Sequence, residues 1–164
     1  SDTWDTYFGG FKYTHGTPFR RAIEENLIDP KKYVILGLRG GLYDPDDLKW
    51  AIEQGITIIT TDKFYEIGMT ESIKIIKDTI GDTPTYFTFD IDGIDPTYAP
   101  GTGTPEVGGI NVHEAQLLIR NLKDLNFIGA DVVEVSPPFD VNNMTSLVGA
   151  TIAFEILCTM TKTN

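Results

Sequence analysis

A chain of 164 residues with 41% hydrophobic and 23% charged side chains can bury one substantial core, and that mixture excludes a disordered or fibrous polymer. A net charge of −11 excludes a nucleic-acid surface, which needs clustered Lys and Arg. It suits a cationic small molecule instead, because a negative field draws amines and guanidinium groups toward a cleft. No run reaches the roughly 18 apolar residues of a membrane span, and the single cysteine, Cys158, excludes an intrachain disulfide, in keeping with a reducing cytoplasm.

The opening Ser1-Asp2-Thr3-Trp4-Asp5 carries no basic-then-apolar leader and reads as the interior of a longer chain. Thr17-Pro18 predicts a helix start, with a cap residue before Pro at the first helical position. Residues 34–38 form an apolar run with the character of a strand. Asp44-Pro45-Asp46-Asp47 repeats the helix-start device and adds acidic groups that a helix dipole favours. A second strand is predicted over 56–59. A helix follows over 64–80, carrying Ile73, Ile76, Lys77 and Ile80 at helical spacing. Residues 86–91 read as a third strand, Asn111 with Glu114 as a capping box, and 128–135 as a fourth strand. The final segment, with Leu147, Val148, Ile152, Ile156 and Leu157, is apolar on most sides and predicts a helix packed deep against the sheet, with Cys158 as a packing residue.

Strands that are nearly continuous apolar runs are covered on both faces. Their alternation with helices predicts one α/β domain over 1–164, three layers deep (α/β/α), with a mainly parallel sheet. Ligands of such sheets bind at the carboxyl ends of the strands. There, Tyr86-Phe87-Thr88-Phe89 runs into Asp90-Ile91-Asp92. Residues two apart on a strand share a side, so Asp90 and Asp92 present two carboxylates together. Buried carboxylates need backbone amides or a metal, and hard oxygen donors suit Mg or Mn. The spacing alone leaves both readings open. The loop that follows, Asp95 to Pro105, is rich in Pro and Gly, which gives a rigid, shaped connector whose glycines permit turns other residues resist.

Phe89-Asp90-Ile91-Asp92-Gly93-Ile94-Asp95-Pro96 with Ala99-Pro100-Gly101-Thr102-Gly103-Thr104-Pro105 resembles the signature of the arginase and agmatinase ureohydrolases. Val132-Val133-Glu134-Val135-Ser136-Pro137-Pro138 resembles their later strand-end motif. Tyr13-Thr14-His15-Gly16-Thr17-Pro18 resembles their His-Gly segment, and Leu36-Gly37-Leu38-Arg39 their Ile-Gly-Ile-Arg strand. The order is right and the resemblance spans essentially the whole chain, with the Gly-Thr-Gly-Thr-Pro-Glu form more like agmatinases than arginases.

The resemblance implies an arginase-like fold, incomplete on its N-terminal side and with exposed strand edges. It implies two manganese ions whose hydroxide attacks a guanidinium carbon and releases urea and an amine. Agmatine, giving putrescine, is the first-choice substrate. Carried over by motif, Asp90 bridges both ions, Asp92 ligates one, and Asp2 is a third ligand at the tail of an Asp-Ala-His-x-Asp motif. His15 serves as the acid/base or proton-shuttle residue, a role suited to an imidazole near neutral pH. Glu134 receives the guanidinium in a two-pronged bond. Asp131 is expected to be a satisfied core or interface carboxylate and His113 a surface residue. A homo-oligomer, trimer or hexamer, and a cytoplasmic location complete the expectation.

The sequence departs from the family in lacking the other histidines of a full site. A catalytically inactive remnant or partner-dependent subunit is therefore the main alternative. A Mg-dependent phosphatase using Asp90-Ile91-Asp92-Gly93, with Asp90 as nucleophile, is a distant one, because that motif ordinarily continues with Thr and here Ile94 follows.

Overall fold

The computed structural model describes residues 2–161. The elements run in the order α1 (Pro18–Glu24), β1 (Val34–Leu38), α2 (Lys49–Glu53), β2 (Thr57–Thr60), α3 (Thr61–Ile80), β3 (Thr85–Asp90), α4 (Val112–Asn121), β4 (Phe127–Val133) and α5 (Met144–Met160). The four expected strands are present, each within a residue or two of its expected bounds. They pair as two parallel ribbons, β1 with β2 and β3 with β4. Among the described residues no helix is long and apolar enough to cross a membrane.

Alternation along β1 and β2 explains the layering there. Val34, Leu36 and Ile59 face a main core, while Ile35 and Ile58 face a second, smaller one with Ile23 of α1, Ala51 of α2 and Ile56. This ribbon is therefore covered on both faces, by α1 and α2 on one side and α3 on the other, giving three layers. The β3–β4 ribbon corrects the expectation of two buried faces. Phe87, Phe89, Ala130 and Val132 enter the same main core. On the other side Tyr86 and Thr88 both donate hydrogen bonds to Asp131, and Tyr86 is 53% exposed. Asp131 is thus a satisfied carboxylate.

Local chemistry sets the helix ends, with two further corrections. Asn111 and Glu114 close the predicted capping box of α4, and His113 lies exposed on its first turn. Thr17 occupies the cap position of α1 with Pro at N1, but its hydroxyl makes no cap bond. It donates instead to the carbonyl of Lys12 at 2.8 Å and accepts from the amide of Thr14 at 3.0 Å, shaping the loop that carries His15. Around Asp44 the acidic groups build turns rather than a helix. Asp47 accepts from the amides of Tyr43 and Asp44, and α2 begins only at Lys49.

The last helix is also not buried all round. Val148, Gly149, Ile152 and Ile156 face the core, whereas Leu147, Phe154 and Leu157 are about 60% exposed on the opposite side, and Cys158 is exposed rather than packed. Nothing among the described residues packs on that side. The helix is tied down by Glu155, whose carboxylate accepts from Arg120 and, at 3.1 Å, from Gln116 of α4. The Arg120 bond, against the opposing effect of burial, holds this carboxyl below its ordinary range. Its side chain is 10% exposed. Glu155→Ala is expected to lower unfolding stability in urea by about 1–3 kcal/mol, since it strands Arg120 and Gln116. A change below a few tenths would show that α5 is held by its apolar face alone.

Candidate active site

Asp90 is the last residue of β3 and pairs in register with Val133, the last residue of β4. Glu134 follows immediately. Parallel pairing thus delivers two carboxylates side by side at the carboxyl ends of adjacent strands, where α/β ligands bind. Asp92 lies two residues on, in the 3-10 turn Ile91–Gly93. Glu134 has φ 65°, in the left-handed region that costs a residue with a Cβ about 1–2 kcal/mol. Strain of this kind persists where surrounding structure imposes it, and it aims the side chain away from the line of the strand.

The N-terminal segment reaches the same place. The carbonyl of Asp2 accepts from the amides of Phe19 at 3.2 Å and Arg20 at 3.4 Å at the start of α1. The His15 loop leads into that helix, and His15 Nδ1 lies 3.9 Å from Glu134 Oε1. Asp2 also has a positive φ, 55°.

The electrostatics show how crowded the acids are. Burial, reinforced by the charges of Asp2, Asp92 and Glu134, raises the Asp90 carboxyl to about 7. Burial also raises Asp2, with Asp92 and Glu134 adding to the effect and His15 opposing it. The Tyr33 phenol is pushed far up by burial and by Asp2 and Asp90. Five sequence-predicted residues therefore form one neighbourhood: His15 touches Glu134, while Asp2, Asp90, Asp92 and Glu134 feel one another's charge. Hard carboxylate donors without a cationic partner are what a divalent ion would relieve. In that chemical sense the residues fit one. Among the described residues, however, no three His, Cys, Asp or Glu side chains converge closely enough to enclose an ion. They could supply only part of a coordination shell, and a closed one would need further donors.

Several participants carry no role in the sequence reading. Thr104 Oγ1 donates to Asp92 Oδ2 at 2.9 Å. Asp95 accepts from the amides of Thr97, Gly108 and Gly109. The hydrogen bonds from Thr97, then those from Gly108 and Gly109, hold the Asp95 carboxyl at about 2. Arg39, just beyond β1, donates to the carbonyl of Asp92 at 2.7 Å. The loop is as well tied as its composition suggests, but Gly101 serves a different purpose. A Cβ there would lie 2.8 Å from Asp140 Cα, so it permits close packing rather than an unusual turn. Around His15, Phe8 stacks at 5.4 Å between ring centroids, and Tyr7 packs on Trp4, Phe8 and Tyr43. Phe8 is 64% exposed with φ 46°, so an aromatic wall borders the His15–Glu134 pair. The signal available for it was the density of aromatic residues over 4–13.

Comparison with known proteins gives one consistent answer. The model of the arginase family matches residues 1–159. The guanidinopropionase of Pseudomonas aeruginosa is 55% identical over 96% of this chain and 50% of its own length. The mitochondrial agmatinase of Gallus gallus is 42% identical over 98% of this chain and 47% of its own. The solved structure of proclavaminate amidino hydrolase from Streptomyces clavuligerus superposes with a TM-score of 0.92 at 42% identity, covering 98% of this chain and 53% of that one. The chain spans about half the length of the curated relatives it matches.

Proposed function

The chain belongs to the arginase family, and from that membership we propose that it carries part of the catalytic site of a manganese-dependent hydrolase of linear guanidino compounds. The observation that carries this reading is the gathering of Asp2, Asp90, Asp92 and Glu134 at the strand ends, with His15 3.9 Å from Glu134. Asp90, Asp92 and Asp2 would hold the metal. When bound, two manganese ions supply a hydroxide at neutral pH. Glu134 then accepts the planar guanidinium through paired N–H···O bonds and fixes the carbon for attack. His15, beside Glu134, carries a proton to the departing amine nitrogen as the C–N bond breaks, which leaves urea and a free amine. The aromatic wall of Tyr7 and Phe8 borders this pair.

Two candidate substrates differ at the end remote from the guanidinium. The acidic chain favours agmatine, which ends in an amine. The 55% identity to a guanidinopropionase, against 42% to an agmatinase, supports guanidinopropionate, which ends in a carboxylate. Assembly into trimers or hexamers and a cytoplasmic location belong to the same proposal.

The test is urea release from agmatine, guanidinopropionate, guanidinobutyrate and arginine by the purified chain, with and without Mn2+. Manganese-dependent urea from one of the first three is the expected result, and the preferred one settles amine against carboxylate. No urea from any of them, together with no Mn2+ binding, would favour the inactive-remnant alternative.

A further inference from the structure

We infer that Arg39 is a positioning residue that clamps the loop 92–107 and thereby fixes Asp92 in the site; the metal part of this inference rests on the function proposed above. Arg39 is half-buried at the carboxyl end of β1, and among the described residues it makes no ion pair with any carboxylate. Its guanidinium is spent on backbone carbonyls. Nη1 donates to Gly37 at 3.3 Å. Nη2 donates to Asp92 at 2.7 Å and to Glu106. Nε divides between Glu106 and Val107, each at 3.2 Å.

One planar fork therefore joins three places: the end of β1, the turn that carries Asp92, and the far end of the loop. The last two lie 53 to 68 residues from Arg39 in sequence. The five N–H groups of a rigid guanidinium can satisfy such a set together, whereas an ammonium offers one point charge. The seat is built to receive it. A Cβ on Gly109 would fall 2.8 Å from Arg39 Nη2 and 2.5 Å from the amide nitrogen of Asp95, so the absent side chain makes room for the fork. Asp95 closes the same loop from inside through Gly108 and Gly109. Thr104, between the two ties, donates to the Asp92 carboxylate. Arg39 holds the Asp92 backbone and Thr104 its side chain, so the fork and the loop it closes together set one orientation. Outer partners of this kind typically change metal affinity by about 10–100-fold when removed.

The experiment compares the parent chain with Arg39→Lys, which keeps the charge and removes the fork, by amide hydrogen exchange and by Mn2+ titration followed through the free-ion paramagnetic resonance signal. The amides of Gly108, Gly109 and Thr102 are expected to exchange at least about tenfold faster, while those of α4 and α5 keep their rates. The Mn2+ dissociation constant is expected to rise about tenfold, with Asp92→Asn as the reference for a lost ligand. Unchanged loop exchange overturns the clamp, and so does equal acceleration throughout α4 and α5, which marks a merely structural residue. Local acceleration with unchanged Mn2+ affinity overturns the link to Asp92. A parent chain that binds no Mn2+ fails the proposed metal function, and the loop exchange then decides the clamp alone.

Discussion

Metal-free Asp90→Asn is expected to melt on the order of 10 °C above the parent chain at pH 8 and at nearly the same temperature near pH 4. The Asp90 carboxyl is raised to about 7 by burial and by Asp2, Asp92 and Glu134. Its folded value thus lies above the ordinary carboxylate range near 4 that it has when unfolded. Between those two values the folded state binds the extra proton, so stability falls as pH rises and the loss is complete above about 7. The penalty is a few kcal/mol (about 2–4 after allowance for solvent screening). An amide of the same shape carries no charge and escapes it. Equal melting temperatures at pH 8 would mean that the acid crowding is relieved by solvent.

Manganese should narrow or close that gap. A ligand that binds only the folded state stabilises it by about 2.7 kcal/mol at a hundred times its dissociation constant. The parent chain should gain that increment, and Asp90→Asn should gain none and release no urea. Calorimetric scans at pH 8 with and without Mn2+ measure both effects on the same samples. An equal manganese shift in the variant would remove Asp90 from the ligand set. On the proposed function, the site gives up stability for a charge arrangement that a bound cation would complete.

The strands were legible in the sequence because each is a short apolar run closed by turn residues. Asp90 and Glu134 were legible as strand-end acids for the same reason. The sequence did not show that Phe87 and Phe89 face the core while Tyr86 and Thr88 lean on Asp131, because aromatic residues and threonine suit either face of a half-covered sheet. The exposed side of α5 was hidden similarly. Leu147, Phe154 and Leu157 are chemically indistinguishable from the residues opposite, and periodicity cannot report whether a second layer is present. Arg39 and Thr104 reach Asp92 across 53 and 12 residues. No local pattern encodes such contacts, and they emerge only when parallel pairing and a long loop bring the segments together.

Glu134 gives a prediction in which function and stability move in opposite directions. Its φ of 65° suits glycine, and Glu134→Gly is expected to stabilise the chain by about 1 kcal/mol through release of the left-handed strain. Removing its charge also relieves Asp90, so Glu134→Gln serves as the partner variant. The glutamine retains the strained backbone and loses the charge, and it should gain only the electrostatic part, which fades as pH falls through about 7 and Asp90 takes up its proton. Both variants should keep Mn2+ binding, because the proposed ligands are Asp2, Asp90 and Asp92. Both should lose on the order of 100-fold or more in kcat/KM, as follows from removing a charged two-pronged bond to the guanidinium. Urea unfolding at pH 5 and pH 8, with urea-release kinetics on the same preparations, reads all of these quantities. A Glu134→Gly chain less stable than the parent would make Glu134 a structural residue, held by His15 at the strand end. Unchanged kinetics in both variants would remove the carboxylate from substrate binding.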